Sequence, residues 1–195
     1  MTATGDPTSL LDALLEKAKK AGADEADAVI MHGTSLGASY RLGKSEDLQR
    51  SEGRDLGLRV LLGHRQAMVS TTDFAEETLD TLVERAVAMA RAVPEDPFCG
   101  LINSEQLARD WPDLELADSR EPQTEQLIDW ARRAEEAARA VPGVTNSEGG
   151  DASWSRSSAA LATSGGFSGG YNSSRFSFSV SVIVGTSTVA CAMPT

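Results

Sequence analysis

The chain has 195 residues, with 18 Lys and Arg against 29 Asp and Glu, a formal net charge of −11. Its 41% apolar and 24% charged residues suit one domain or two small ones with a buried core, and argue against a disordered chain. So acidic a protein repels phosphate backbones and anionic lipid, so no nucleic acid and no membrane are expected as partners, and no apolar run approaches the roughly 20 residues of a bilayer span.

Asp6-Pro7 opens the first predicted helix, which runs over about 7–21 on the stripe Leu10, Leu11, Leu14, Leu15, Ala18 and Ala21 and ends at Gly22. The period then shortens. Segments 28–32, 37–42, 47–51, 56–62 and 66–71 read as strands, with hairpin turns expected at Gly33-Thr34-Ser35 and Gly63-His64-Arg65. A second helix begins at Thr72-Asp73, where Asp73 and Glu76 have the spacing of a capping box. Leu79, Leu82, Val83, Ala86, Val87 and Ala90 form its apolar stripe, and Pro94 closes it. An extended connection runs to about Ser119. The third helix starts near Glu121-Pro122, with Leu127, Ala131, Ala134, Ala138 and Val141 inward and Glu125, Asp129, Glu135 and Glu136 on a solvated face. Strands follow at about 144–148, 151–163 and 170–184, with turns at Gly149-Gly150, Gly165-Gly166 and Gly169-Gly170. The order predicts an α+β fold with antiparallel sheets and three main helices. Its divisions are an N-terminal α+β domain at 1–97, a linker at 98–119, and a helix with an antiparallel sheet at 120–195.

Charge is uneven. Residues 151–195 hold only Asp151, Arg156 and Arg175, a net of +1, and are rich in Ser and Gly. The aromatic and Val-rich content of that stretch, Phe176 to Val184 above all, marks it as β-structure rather than a flexible linker. Cys99 and Cys191 are too few and too far apart for a disulfide framework. The N-terminus lacks the basic start and apolar stretch of a signal peptide, so a cytoplasmic protein is expected.

Gly57-Leu58-Arg59-Val60, Gly63-His64-Arg65-Gln66-Ala67, Ser70-Thr71-Thr72-Asp73, Asp96-Pro97-Phe98-Cys99-Gly100-Leu101 and Pro112-Asp113-Leu114-Glu115-Leu116 together resemble the TldD/PmbA family. Thr145-Asn146-Ser147-Glu148-Gly149-Gly150 and Gly166-Phe167-Ser168-Gly169-Gly170-Tyr171-Asn172-Ser173-Ser174-Arg175 carry the resemblance furthest, and its details favour the PmbA (TldE) branch. Residues 186–195 fall outside it. The resemblance implies the first two domains of a longer, cytoplasmic protein, with the central domain incomplete. In that family the TldD subunit is a zinc peptidase with a His-Glu-x-x-x-His motif. The PmbA/TldE subunit lacks the motif and pairs with TldD to trim leader peptides and degrade unfolded polypeptides. "Modulator of DNA gyrase" is the older description. The expected role is therefore a non-catalytic subunit segment, with a TldD-type subunit and a peptide or unfolded polypeptide as partners. No cofactor is expected in this chain, and zinc only in the partner. The alternatives are a truncated or frameshifted product without independent activity, a stand-alone peptide-binding module, or an autonomous enzyme.

Catalytic motifs are sparse. His32 and His64 are the only histidines, each beside a glycine at an expected turn, and neither has metal-ligand spacing. Gly166-Phe167-Ser168-Gly169-Gly170 has the letters of a nucleophile elbow, but a strand is expected after Ser168 and no histidine follows. Its glycines lack the Lys-Ser/Thr and the helix of a phosphate loop. No catalytic and no metal-binding residue is assigned. Asn146-Ser147-Glu148-Gly149-Gly150 reads either as a strand end with a tight turn, or as a place where Glu148 and Arg175 face a docked peptide or partner strand. Asn146, Glu148 and Arg175 are the candidate contact residues.

Overall fold

The computed structural model describes residues 7–185. The expected cap at Asp6, together with Cys191, lies outside them. The elements are α1 (Pro7–Lys20), β1 (Glu25–Arg41), β2 (Lys44–Leu62), β3 (Arg65–Thr71), α2 (Glu76–Ala92), α3 (Thr124–Arg139), β4 (Val144–Thr163) and β5 (Ser168–Val184), with a single 3-10 turn at Ser104–Gln106. The five strands form one antiparallel sheet in the order β3-β2-β1-β4-β5. No helix among the described residues is long and apolar enough to cross a membrane.

The short segments expected between 28 and 62 merge into two long strands. Gly33-Thr34-Ser35 is no turn: it lies inside β1, a strand with neighbours on both sides, and Gly33 has no positive φ. The chain reverses instead at Leu42-Gly43, with φ of 47° and 89°, the positive values that a two-residue hairpin turn requires. Gly63-His64 is a turn as expected: Leu62 pairs with Arg65, and Gly63 has φ 55°. Strand β4 likewise runs straight through Gly149-Gly150, and β5 through Gly169-Gly170. At Gly170 a Cβ would sit 2.6 Å from the Ala159 carbonyl oxygen, so that glycine admits a close approach within the β4–β5 hairpin.

The chain forms two compact units that interleave in sequence. The first comprises residues 1–33, 52–116 and 157–173, the second 34–51, 117–156 and 174–195. In the first, α2 packs on β3 and α1. The core joins Leu11, Leu14 and Ala18 of α1, Leu56, Leu58 and Val60 of β2, Ala67 and Val69 of β3, and the whole expected stripe of α2. Burying each Leu or Val here stabilises by about 1.5–3 kcal/mol. The pairs Leu58↔Val69 and Val60↔Ala67 fix the register so that these residues share the helix-covered face. On the opposite parity, Arg59 grips Asp27 through both Nε and Nη2.

The connection after α2 is tied to this unit. Glu95 pairs with Arg65, Asp96 donates its N–H to the His64 carbonyl (2.7 Å), and Leu101 donates to Glu25 (3.4 Å). The start of α2 differs from expectation. Its N-cap is Ala75, which leaves Glu76 at the first helical position, where it pairs with Lys17. Asp73 instead accepts the Ala75 N–H and the Thr78 hydroxyl. Helix α3 has the capping box, formed by Gln123 and Gln126.

In the second unit, α3 buries Leu127 and Ala131 against Leu36, Ala38, Ala152 and Trp154. Two expectations for α3 are corrected. Val141 is exposed, whereas Glu135 is completely buried, because it lies on the stripe that faces the sheet.

Candidate functional site

The candidate region is built on β4 and β5 within the second unit. In the second-unit part of β4 the buried residues are Ser147, Gly149, Gly150, Ala152 and Trp154, so the alternation slips by one residue at the glycine pair and the strand bulges. Gly149 has φ 113°, and a Cβ there would lie 3.1 Å from the Tyr40 carbonyl oxygen. A Cβ on Gly150 would collide with the carbonyl oxygen of Ala131 in α3. Both glycines thus let backbone meet backbone, helix on strand and strand on strand.

Around the bulge the polar groups are paired. The Asn146 side-chain oxygen accepts the Ser147 N–H (2.8 Å), and the Ser147 hydroxyl accepts the Gly149 N–H (3.0 Å). Arg41 Nε donates to the Ser147 carbonyl (3.0 Å). Both carboxylate oxygens of Glu135 accept the N–H of Leu42, at 2.9 and 3.1 Å, holding that non-glycine residue in its left-handed conformation. Sequence reasoning missed Glu135 and Arg41. The signal for Glu135 was available in its spacing of four from Ala131, overruled there by its charge.

Among the described residues, strand β5 lies at the sheet edge with β4 as its one neighbour. Arg175 is its single charged residue. Phe176 and Phe178 set their rings edge-on to Trp130 of α3, with centroids 5.9 and 5.6 Å away, and the Ser177, Ser179 and Ser181 positions alternate with them. On the serine side, Asp151 accepts hydrogen bonds from Ser39 (2.6 Å) and Ser179 (3.4 Å). Where the connection enters this unit, Asp118 donates its N–H to Ser174 Oγ (2.8 Å). The Arg120 side chain and N–H hold the Asp118 carboxyl below its ordinary value.

Asn146, Glu148 and Arg175 are all exposed. Asn146 serves its neighbour's backbone. The contacts Thr145–Ile183 and Asp151–Ser179 set Glu148 opposite residues near 182, about seven positions from Arg175, or roughly 20 Å along the hairpin. The structure therefore does not bring Glu148 and Arg175 together. His32 is exposed on β1, and Ser168 opens β5, with a strand after it. Among the described residues no group of three His, Cys, Asp or Glu side chains can hold a metal ion, so they do not fit a zinc site.

These features define an α+β protein whose second unit carries a bulged strand and an uncharged edge. Residues 26–90 match the family model described as PmbA/TldA metallopeptidase domain 1, and residues 117–191 match that of the PmbA/TldA metallopeptidase central domain. The chain belongs to the PmbA/TldD family. The second match extends through Thr186 to Cys191, beyond the motifs that carry the sequence resemblance.

The chain is 33% identical over 161 residues to Metalloprotease PmbA of Escherichia coli O157:H7, and 33% identical over 172 residues to the Metalloprotease PmbA homolog of Haemophilus influenzae. These matches cover 82% and 88% of this chain but 36% and 38% of those proteins, so it spans little more than a third of their length. Among solved structures it resembles a candidate modulator of DNA gyrase from Bacteroides thetaiotaomicron (TM-score 0.86, 19% identity, 97% of this chain, 44% of that one). It also resembles TldE from Thermococcus kodakarensis (TM-score 0.75, 16% identity, 92% of this chain, 40% of that one). Both show the shared fold.

Proposed function

We propose that this chain acts as a PmbA/TldE-type, non-catalytic segment that works with a TldD-type zinc peptidase subunit in the cytoplasm, and that it holds extended polypeptide by strand addition to β5. The observation that carries the reading is the β5 edge. Phe176 to Val184 is free of charge, has one sheet neighbour among the described residues, and so offers main-chain donors and acceptors to an added strand. An added strand is held through backbone groups, which suits leader peptides and unfolded chains whose side chains vary. The name of the 33%-identical relatives supports the PmbA branch.

Ser179→Pro removes one ladder donor. If circular dichroism shows the variant folded, its binding of a TldD-type subunit and of an unfolded peptide should fall more than that of Glu148→Gln. Parent-like binding by folded Ser179→Pro would overturn the edge reading. The non-catalytic reading has its own test: stoichiometric zinc on the purified chain, with proteolysis abolished by a chelator, would end it.

A further inference from the structure

Helix α3 carries two stripes. One, Leu127, Ala131 and Glu135, is buried on the sheet. The other, Trp130, Arg133, Ala134 and Ala137, recurs at helical spacing and, with Glu136 of the same helix and Phe178 of β5, lines an open groove of about 560 Å³. That volume accommodates a large apolar side chain.

A strand added to β5 would send alternate side chains to the side occupied by Phe176, Phe178 and Val180, the side on which Trp130 packs. Those side chains would enter the groove, and the others would lie with Ser177, Ser179 and Ser181.

The charges at the rim are unequal. Arg132 is engaged by Asp129 at 2.5 Å and by Glu136 at 2.8 Å. Arg133 reaches Asp129 only at 4.0 Å, and its side chain is 68% exposed. Arg133 is therefore the less engaged cation at the groove, because Glu136, the carboxylate in the lining, is held by Arg132, and Asp129 lies closer to Arg132. The second unit also carries nine basic against ten acidic residues, a net of −1, so the chain's acidity lies almost wholly in the first unit.

We propose that this groove selects among the polypeptides that add to β5, taking an aromatic or other large apolar side chain against Trp130, Phe178, Ala134 and Ala137 while Arg133 pairs with a carboxylate of the same segment. The inference rests on the strand-addition reading and gives it a substrate class: extended chain with an aromatic residue and an acidic one two positions away, on the same face. Backbone pairing supplies affinity and the groove supplies selection.

The probes are fluorescein-labelled Ser/Thr-rich octapeptides with a central Phe and Glu two positions to either side, on the same face, the same peptide with Lys in place of Glu, and a version with Ser in place of Phe. Binding to the full chain is read by anisotropy. The Phe/Glu peptide should bind about two- to fivefold more tightly than the Phe/Lys peptide at low salt, the range of an exposed ion pair, and the gap should close as salt is raised. Arg133→Glu should invert that preference. Ala137→Phe, at an exposed helical position, should fill the groove and weaken the Phe peptides but not the Ser peptide. If both variants discriminate as the parent does while Ser179→Pro weakens all three peptides, the groove inference fails and strand addition stands. If folded Ser179→Pro is also silent, or no peptide binds the parent, both fall.

Discussion

A methyl group at Gly150 would meet the carbonyl oxygen of Ala131, which belongs to a helix backbone and cannot rotate away. Gly150→Ala should therefore cost about 1–3 kcal/mol or more in chemical denaturation. Gly53→Ala, where nothing lies within 4 Å, should stay within about 0.5 kcal/mol of the parent. Equal stabilities would show that α3 does not rest on β4 at that point. Glu135→Ala strips the Leu42 N–H of its acceptor and should destabilise by about 1–3 kcal/mol, with Glu135→Gln, which keeps an acceptor oxygen, losing less. At Asp73 the Thr78 hydroxyl and the Ala75 N–H favour the ionised carboxyl and lower it from its ordinary 3.8. Its contribution is complete above the unfolded value and lost as pH falls through the lowered folded one. The melting-temperature gap between parent and Asp73→Ala should thus be full at pH 7 and narrow below pH 3.8, and a gap independent of pH would refute the assignment.

At the scale of elements, helices were legible and strand lengths were not. The stripe from Leu79 to Ala90 names its buried face by period alone, and the structure buries all six residues. Gly33, Gly149 and Gly169 look like punctuation in one dimension, yet each sits inside a strand. What a glycine does there depends on the backbone that approaches it, and for Gly149 that is Tyr40, over a hundred positions away. The Leu42-Gly43 reversal was hidden because leucine rarely adopts a positive φ, and here a buried glutamate from α3 supports it. For the same reason the candidate pair Glu148 and Arg175 looked convergent in sequence and lies apart along the hairpin. Trp130 and Phe178, which do meet, were readable only as apolar residues. The exposed Phe178, Val180, Ile183 and Val184 on an uncharged edge lead to an element-level expectation. The chain alone should self-associate in sizing experiments at micromolar concentration, and a monodisperse monomer would count against an open edge.

For the whole molecule, the order of synthesis matters as much as the final contacts. Strand β1 takes its place beside β4 through the Ala26–Ser164 and Ser39–Asp151 contacts, which join residues 138 and 112 positions apart. The β1–β2–β3 meander leaves a ribosome long before its remaining neighbour exists. At roughly 5–20 residues per second, β1 waits about 6–28 seconds with one flank unpaired. Closing so long a loop is entropically slow in refolding as well. The nascent chain therefore passes through an interval in which the flank of β1 that will receive β4 is open to any extended polypeptide nearby, including another copy of itself on the same messenger.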